Sequence, residues 1–487
     1  KYQEIYLQKQ SNSLILLNDI EEEKVDVRDT ENIPEGWFFD TRFPDPPVKE
    51  KANSTSEPSL ITGSKANKAI KYDPLRTTTS RLRFKIQNMS SNLDNQPLFT
   101  GMNSYAADRV GYQAAPLGLL MKMQIGDSFE DYVFEGGVRL ATNFSGYEAF
   151  LTFEDRKRQW DHFCAAYYRS RSNRRIDQFD LLERNRENTF LLYYQIKYPF
   201  DEFQSIRLSG TLRSDQNFTL ITDDDSVLKP VTNTQRLGIR AEYVYDNSSQ
   251  RSMNIYNGSR TKFFVEGMNR FRVQFADPFT IEPNNGFLSV LGVDSRYYLP
   301  IFDKSVLAAR LSAGTSLGSE RILYYVGGVE RALIFGFDQS TGIPNENFAF
   351  ENIAPQLRGF DRNIRNGTSY VVSTVELRVP IFRHIFSDQI RYDFLREFQV
   401  VGFFDSGTAW HGLSPYSQEN PINSAQFESG ESVIINVQYF RDPLVLGYGF
   451  GFRSSVFGYF VKMDFARGIE TRATLPLRVH LSLGTDF

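Results

Sequence analysis

The chain has 487 residues, a net charge of −4, a pI near 5.8 and a mean hydropathy of −0.40, so no basic surface recommends nucleic acid. No run of about 18 apolar residues occurs, which excludes a spanning helix but not a membrane barrel, whose strands are apolar only at alternate positions. The single cysteine, Cys164, excludes an intrachain disulfide framework, and His162, His384, His411 and His480 show no metal-ligand spacing. The 42 Phe and 25 Tyr suit the aromatic girdles of a barrel at its two membrane interfaces.

Residues 1–78 are partly acidic, Pro-containing and poorly patterned. Ile20-Glu21-Glu22-Glu23-Lys24, Phe43-Pro44-Asp45-Pro46-Pro47 and the Ser/Asn/Lys-rich stretch 52–71 have linker composition. The expectation is an irregular N-terminal segment, the end of a larger soluble region, whose own residues show no signal-peptide pattern.

From Thr79 onward the chain alternates. Leu82, Phe84 and Ile86 share one face of the first segment, against Arg83, Lys85 and Gln87. Later, Leu117, Leu119, Met121, Met123 and Ile125 oppose Gly118, Lys122 and Gln124. Near the end Leu444, Leu446, Tyr448, Phe450 and Phe452 oppose a row of glycines and Arg453. Phe457, Tyr459, Val461, Met463 and Phe465 then oppose Lys462 and Asp464. In the last segment Leu477, Val479, Leu481, Leu483, Thr485 and Phe487 face away from Arg478, His480, Ser482, Gly484 and Asp486.

Alternation also suits a soluble sandwich, but several segments run about 10 to 13 residues where globular strands average about 5 or 6 and a tilted bilayer crossing needs about 9 to 11. Sixteen strands are expected, at 79–89, 116–126, 132–142, 146–155, 159–170, 189–199, 204–216, 233–247, 261–274, 286–300, 305–316, 368–381, 396–408, 443–454, 457–466 and 476–487. Long and short connections mostly alternate, about 26 residues after strand one and about 50 after strand eleven, but the rule breaks after strands three, eight and twelve. Asp223-Asp224-Asp225 reads as a solvated loop run. His162 and Cys164 share a face, but nothing completes a triad. Trp160 and Trp410 read as interfacial anchors.

Four motifs follow in order: Leu357-Arg358-Gly359-Phe360 in the long connection, Glu376-Leu377-Arg378-Val379-Pro380, Phe403-Phe404-Asp405-Ser406-Gly407, and Lys462-Met463-Asp464-Phe465-Ala466, one strand before a segment ending on Phe487. This order resembles the BamA/TamA superfamily of bacterial outer-membrane assembly and translocation barrels. The resemblance covers about 79–487. It implies an all-β, sixteen-stranded antiparallel transmembrane barrel whose long sixth external loop enters the lumen. Arg358 would then reach Asp464 and lie near Asp405, Gly359 would allow the tight tip, and Phe360 would pack on the wall, with Gly407 and Lys462 completing the lock.

Unpaired carboxylates in a confined lumen are costly, and an arginine offers a planar fork to satisfy them. Phe38-Phe39-Asp40-Thr41-Arg42-Phe43, Phe134-Glu135-Gly136-Gly137-Val138-Arg139, Val326-Gly327-Gly328-Val329-Glu330 and Arg365-Asn366-Gly367-Thr368-Ser369-Tyr370 look like members with a periplasmic propeller in place of POTRA modules; no POTRA pattern is visible in 1–78.

The resemblance implies no enzyme activity and no cofactor, a place in the outer membrane of a Gram-negative bacterium, and contacts with lipid, client barrels or exported proteins, and periplasmic or surface accessory proteins. The first and last strands would pair weakly at a lateral seam, formed by Leu82, Phe84 and Ile86 on one side and Leu481, Leu483, Gly484 and Phe487 on the other. A client strand would template on the exposed edge. Phe487 resembles the terminal aromatic of an assembly signal. Three roles stay open: an insertion or translocation factor, an accessory barrel in an export complex without insertase activity, and a passive pore. A lumen-filling loop argues against the last.

Overall fold

The computed structural model describes residues 82–94, 104–105, 116–176, 182–220, 231–274, 280–334, 336–338, 340–343, 348–386, 390–417, 420, 422–429, 433–438 and 441–487. The segment 1–78, with its expected linker character, and the Asp223–Asp225 run lie outside them.

Among these residues the main sheet has eighteen strands, two of which are the short pieces Ser249–Ser252 and Ala473–Thr474. The other sixteen form the wall. They are β1 (Phe84–Asp94), β2 (Gly118–Asp127), β3 (Tyr132–Ala141), β4 (Gly146–Asp155), β5 (Asp161–Ile176), β6 (Leu182–Pro199), β7 (Gln204–Leu220), β8 (Thr232–Asp246), β9 (Ile255–Gln274), β10 (Thr280–Ile301), β11 (Ser305–Gly318), β12 (Ser369–Val379), β13 (Gln399–Trp410), β14 (Val445–Val456), β15 (Tyr459–Glu470) and β16 (Arg478–Leu483). Each pairs antiparallel with its sequence neighbour, from Phe84↔Asp127 at one end of the series to Val461↔Leu483 at the other.

Alternation sorts the side chains. Leu208, Ile239, Phe263, Leu311, Phe404 and Phe450 stand exposed on the outer face, while Arg213, Arg236, Glu376, Asp405, Arg453 and Asp464 are buried on the inner one. An apolar exterior around a charged interior is a membrane barrel turned outward to lipid.

The interior is occupied by the connection between β11 and β12. Its strands Arg321–Val326 and Phe348–Ile353 pair in parallel, and Arg365–Gly367 pairs antiparallel with the first of them. The first long connection adds Ser104–Tyr105 to the edge of this small sheet through Phe350↔Tyr105 and Glu351↔Ser104. Phe350 is fully buried beneath the guanidinium groups of Arg213 and Arg236, 4.6 and 4.9 Å from its ring centre.

The three connections that broke the alternation of lengths are real features. Residues 142–145 are a tight turn. Residues 247–254 include the short strand Ser249–Ser252, folded back on β9. The link from β12 to β13 carries two short helices, Ile381–Phe386 and Asp393–Arg396. Phe398 ties this last link to the outer face of β14 by stacking on Phe452.

Two expectations at the ends of the wall are corrected. β1 begins at Phe84, so Leu82 precedes it, and an irregularity between Ile86 and Asn88 breaks the single apolar face expected there. β16 stops at Leu483 instead of running to Phe487. Gly484 (φ 105°) and Asp486 (φ 64°) turn the chain, and Phe487 is buried against Tyr298 instead of sharing the outer face with Leu481. Gly484 is suited to that turn, since the left-handed region is open to it at no steric cost.

Candidate functional site

The tip of the inserted connection meets the wall at Arg358, which is fully buried. Its Nε and Nη2 donate to the two carboxylate oxygens of Asp405 at 2.7 Å each, and its backbone N–H donates to Oδ2 at 3.0 Å. Nη1 donates to Oε1 of Glu376 at 2.6 Å, and the guanidinium lies 3.6 Å from the ring centre of Phe403. One arginine thereby satisfies two carboxylates, with the paired geometry that its planar fork favours.

The partners differ in order from the expectation. Asp405 and Glu376 are the direct acceptors. Asp464 stands 3.8 Å from Nη1 and accepts its own hydrogen bond from Arg453 Nη1 at 2.6 Å. The reason is register: Thr374↔Asp405 and Asp405↔Gly447 place Asp405 and the neighbouring Glu376 beneath the tip, while Gly451↔Asp464 leaves Asp464 beside Arg453, two residues on from that glycine.

Glycines open the space. A Cβ on Gly447 would lie 2.1 Å from the Arg358 carbonyl oxygen, and one on Gly407 would lie 2.6 Å from Leu357 Cδ1. Gly359 has φ 91°, and a Cβ there would lie 2.6 Å from the backbone at Arg467 and Gly468. Its N–H donates to His480 Nε2 at 3.1 Å, which ties the tip to β16. Phe360 is buried in a cluster with Val326, Leu357, Ile364 and Val372, and its ring lies over Gly468.

Lys462 does not join the tip. Its Nζ donates to the Asp486 carbonyl at 3.1 Å.

Sequence reasoning missed how far the ionic chain extends. From Arg358 it runs through Glu376 to Arg378 (2.8 Å), then to Asp486 (3.2 Å), then to Arg296 (2.6 Å). It continues through Asp294 (3.2 Å) and Arg310 (2.8 Å) to Glu330 (2.8 Å), back on the inserted connection. The tail residue Asp486 also accepts from Tyr298 Oη at 2.6 Å, and its N–H donates to Asn254 Oδ1 at 2.8 Å. The signal that could have found Glu376 and Arg378 is their i, i+2 spacing, which puts both on the lumen face of one strand.

The expected seam residues are separated. Phe84 and Ile86 are exposed on β1, with Phe84 edge-on to Phe134, and Leu82 is exposed before the strand. Leu481 and Leu483 are half-buried on β16. Among the described residues no register joins β1 to β16; β1 reaches that side through Leu93 N–H, which donates to Tyr459 Oη at 2.9 Å.

The free edge of β16 is met instead by the inserted connection. Leu333 N–H donates to the Leu481 carbonyl at 2.9 Å, Leu483 N–H donates to the Arg331 carbonyl at 3.3 Å, and Ala332 pairs antiparallel with Ser482.

Residues 136–487 match the family model described as the Omp85 superfamily domain. Among solved structures, BamA from Haemophilus ducreyi lacking POTRA domains 1–3 is similar at 12% identity, covering 83% of this chain and 71% of that one, with a TM-score of 0.48. CdiB from Acinetobacter baumannii is similar at 11% identity over 83% of this chain and 59% of that one, with a TM-score of 0.41. CdiB from Escherichia coli is similar at 10% identity over 84% and 68%, with a TM-score of 0.44. The sequence matches no curated protein.

Proposed function

Because the chain belongs to the Omp85 superfamily, a family of non-enzymatic outer-membrane assembly proteins and secretion transporters, we propose that it inserts client β-barrels into the bacterial outer membrane through the seam between β1 and β16. The observation that carries this reading is the unladdered pair of wall ends: β1 holds only its β2 neighbour by a registered ladder among the described residues, and β16 only β15. An unpaired edge in hydrocarbon is heavily penalised, because its N–H and C=O groups find no water. A client strand arriving at such an edge satisfies both partners and is drawn to it. No cofactor enters such a step. The lipid, the client and whatever accessory proteins deliver it are the partners.

The lock at Arg358 supports the same reading. It fixes the inserted connection to β12 and β13, and through His480 and Asp486 to the last strand and its tail. The last strand and its tail are thereby tied to the inserted connection.

A second reading, an accessory barrel in an export complex without insertase activity, is favoured by one observation: the β16 edge is already occupied by the chain's own 331–333. Depletion separates the two. Loss of several unrelated outer-membrane barrels from the membrane fraction supports insertion. Failure of one export route, with other barrels assembled normally, contradicts it and supports the accessory role.

A further inference from the structure

We propose that the link between β12 and β13 is a membrane-surface paddle. Its two helices, α1 (Ile381–Phe386) and α2 (Asp393–Arg396), lie in the headgroup layer of one leaflet and hold phospholipid against the outside of the barrel. The ligand is the bilayer interface itself, and the proposal is independent of what the barrel does to clients.

The link folds outward instead of under the lumen. Even-numbered positions of β14 up to Phe452 face lipid, and Ser454 continues that row. There α2 covers the wall, and Ser454 Oγ donates to the Phe394 carbonyl at 2.6 Å. A run of rings makes the outer wall and the link one surface. Between ring centres it passes from Phe465 to Phe450 (5.4 Å), to Phe452 (5.9 Å) and to Phe398 (5.9 Å). From Phe398 it reaches Phe394 (6.0 Å) on α2 and Phe382 (5.3 Å) on α1.

Its level along the barrel is that of a headgroup layer. Other turns at the same end carry exposed aromatics, at Phe129, Trp160, Phe200, Phe302 and Phe457. Aromatic rings along a barrel rim mark the interface. The link follows the turn of Phe302 and precedes that of Phe457. Lys304 Nζ, in the first of these turns, donates to the Arg383 carbonyl at 2.9 Å and fastens α1 to it.

The composition of the link suits that level. Ile385, Phe386, Tyr392 and Phe394 are 62, 62, 76 and 49% exposed, so large apolar side chains stand out from a segment that is itself pinned to the wall. Two of its arginines are taken up within it. Buried Glu397 accepts from Arg383 Nη2 at 3.1 Å and from Arg396 Nε at 3.0 Å, and Arg383 Nε donates to the Arg396 carbonyl at 3.0 Å. Apolar groups turned out and charges tied to one another fit an apolar surround better than water. Arg391, exposed beside Tyr392, supplies a cation for a lipid phosphate.

The test uses the full chain with Cys164→Ser, in phospholipid vesicles free of other proteins. A nitroxide is attached in turn at Phe386→Cys, at Tyr392→Cys and, as a wall reference, at Leu291→Cys in the middle of β10. Its accessibility to oxygen, which concentrates in the bilayer, is compared with its accessibility to a water-soluble nickel chelate. We expect both link positions to favour oxygen, at about 5 to 10 Å into the headgroup/acyl boundary and shallower than Leu291. The folded gel band shows that each labelled protein is intact. Phe386→Asp together with Tyr392→Asp should lift the link off the bilayer, so that a label at Ile385→Cys becomes accessible to nickel while the folded band is kept.

Nickel accessibility at Phe386 and Tyr392 equal to that of the free label in water would overturn the proposal and leave the face to a protein partner. Dipolar broadening between labels, the sign of a second copy seated on the link, would overturn it as well.

Discussion

Arg358 is the residue on which the interior depends, and its energetics set it apart from the surface pairs. Arg358→Ala strands Asp405, buried in the lumen, without the guanidinium that satisfies both its oxygens, and takes one donor from buried Glu376, which keeps Arg378 at 2.8 Å. The expected cost is about 3 to 5 kcal/mol. Arg260, paired with Asp246 at 3.3 Å on an exposed edge, should cost well under about 1 kcal/mol when replaced by alanine. The temperature at which the folded gel band is lost should fall clearly for the first variant and scarcely for the second; equal shifts would mean that the lock is absent.

The same assay orders the carboxylates. Asp405→Asn should cost more than Asp464→Asn, because Asp405 takes both forks of Arg358 while Asp464 is 3.8 Å away and keeps Arg453. Gly447→Ala should act like Arg358→Ala without touching a charge, since the new Cβ would meet the Arg358 carbonyl and lift the tip.

The motif order brought Arg358, Gly359, Phe360 and the two aspartates together in the sequence reading. It puts Asp464 ahead of Asp405, the reverse of what is observed, because their order depends on the register of four strands. Lys462 was assigned to the tip from its place beside Asp464, but its reach ends on the tail that Gly484 turns inward.

At the scale of elements, the wall was legible and its ends were not. Alternation over ten or more residues placed all sixteen strands, because a bilayer-facing side and a charged interior impose a period that composition cannot hide. β1 and β16 deviate where other forces win. A register irregularity shifts the faces of β1, and beyond Leu483 the attraction of Asp486 for Arg296 and Arg378, with burial of Phe487, outweighs four more residues of ladder.

Phe487→Ala should therefore destabilise the barrel by about 3 to 5 kcal/mol, as for a buried aromatic, rather than by the small amount expected of an exposed strand end. Its melting temperature measures this.

The inserted sheet carries a pH dependence of its own. Burial holds the Glu351 carboxyl up at about 7, with a hydrogen bond from Tyr325 opposing the shift and nearby Glu187 adding to it. A carboxyl raised on folding is destabilising when ionised, so the penalty is absent below the ordinary carboxylate range and complete above about 7. Protection of the amides across Phe348–Ile353, corrected for the base-catalysed intrinsic exchange rate, should be higher at pH 5 than at pH 8, and Glu351→Gln should remove the difference.

In the whole molecule three parts that lie far apart in sequence are joined: the connection tip, the tail and the edge of the last strand. The inserted connection holds the wall at Arg358 and meets the seam at 331–333, and Asp486 lies between them in one ionic chain. Under the proposed function, clients enter at the seam rather than through the lumen or along the lipid-facing wall. Photo-crosslinking during assembly of a client barrel in membranes tests it, with the reactive residue placed in turn at Met89 on β1, at Val479 on β16 and at Leu291 on the outer face of β10, all exposed. The expected result is client adducts at Met89 and Val479 and none at Leu291. Adducts of equal yield at all three positions, or client adducts confined to Leu291, would contradict it.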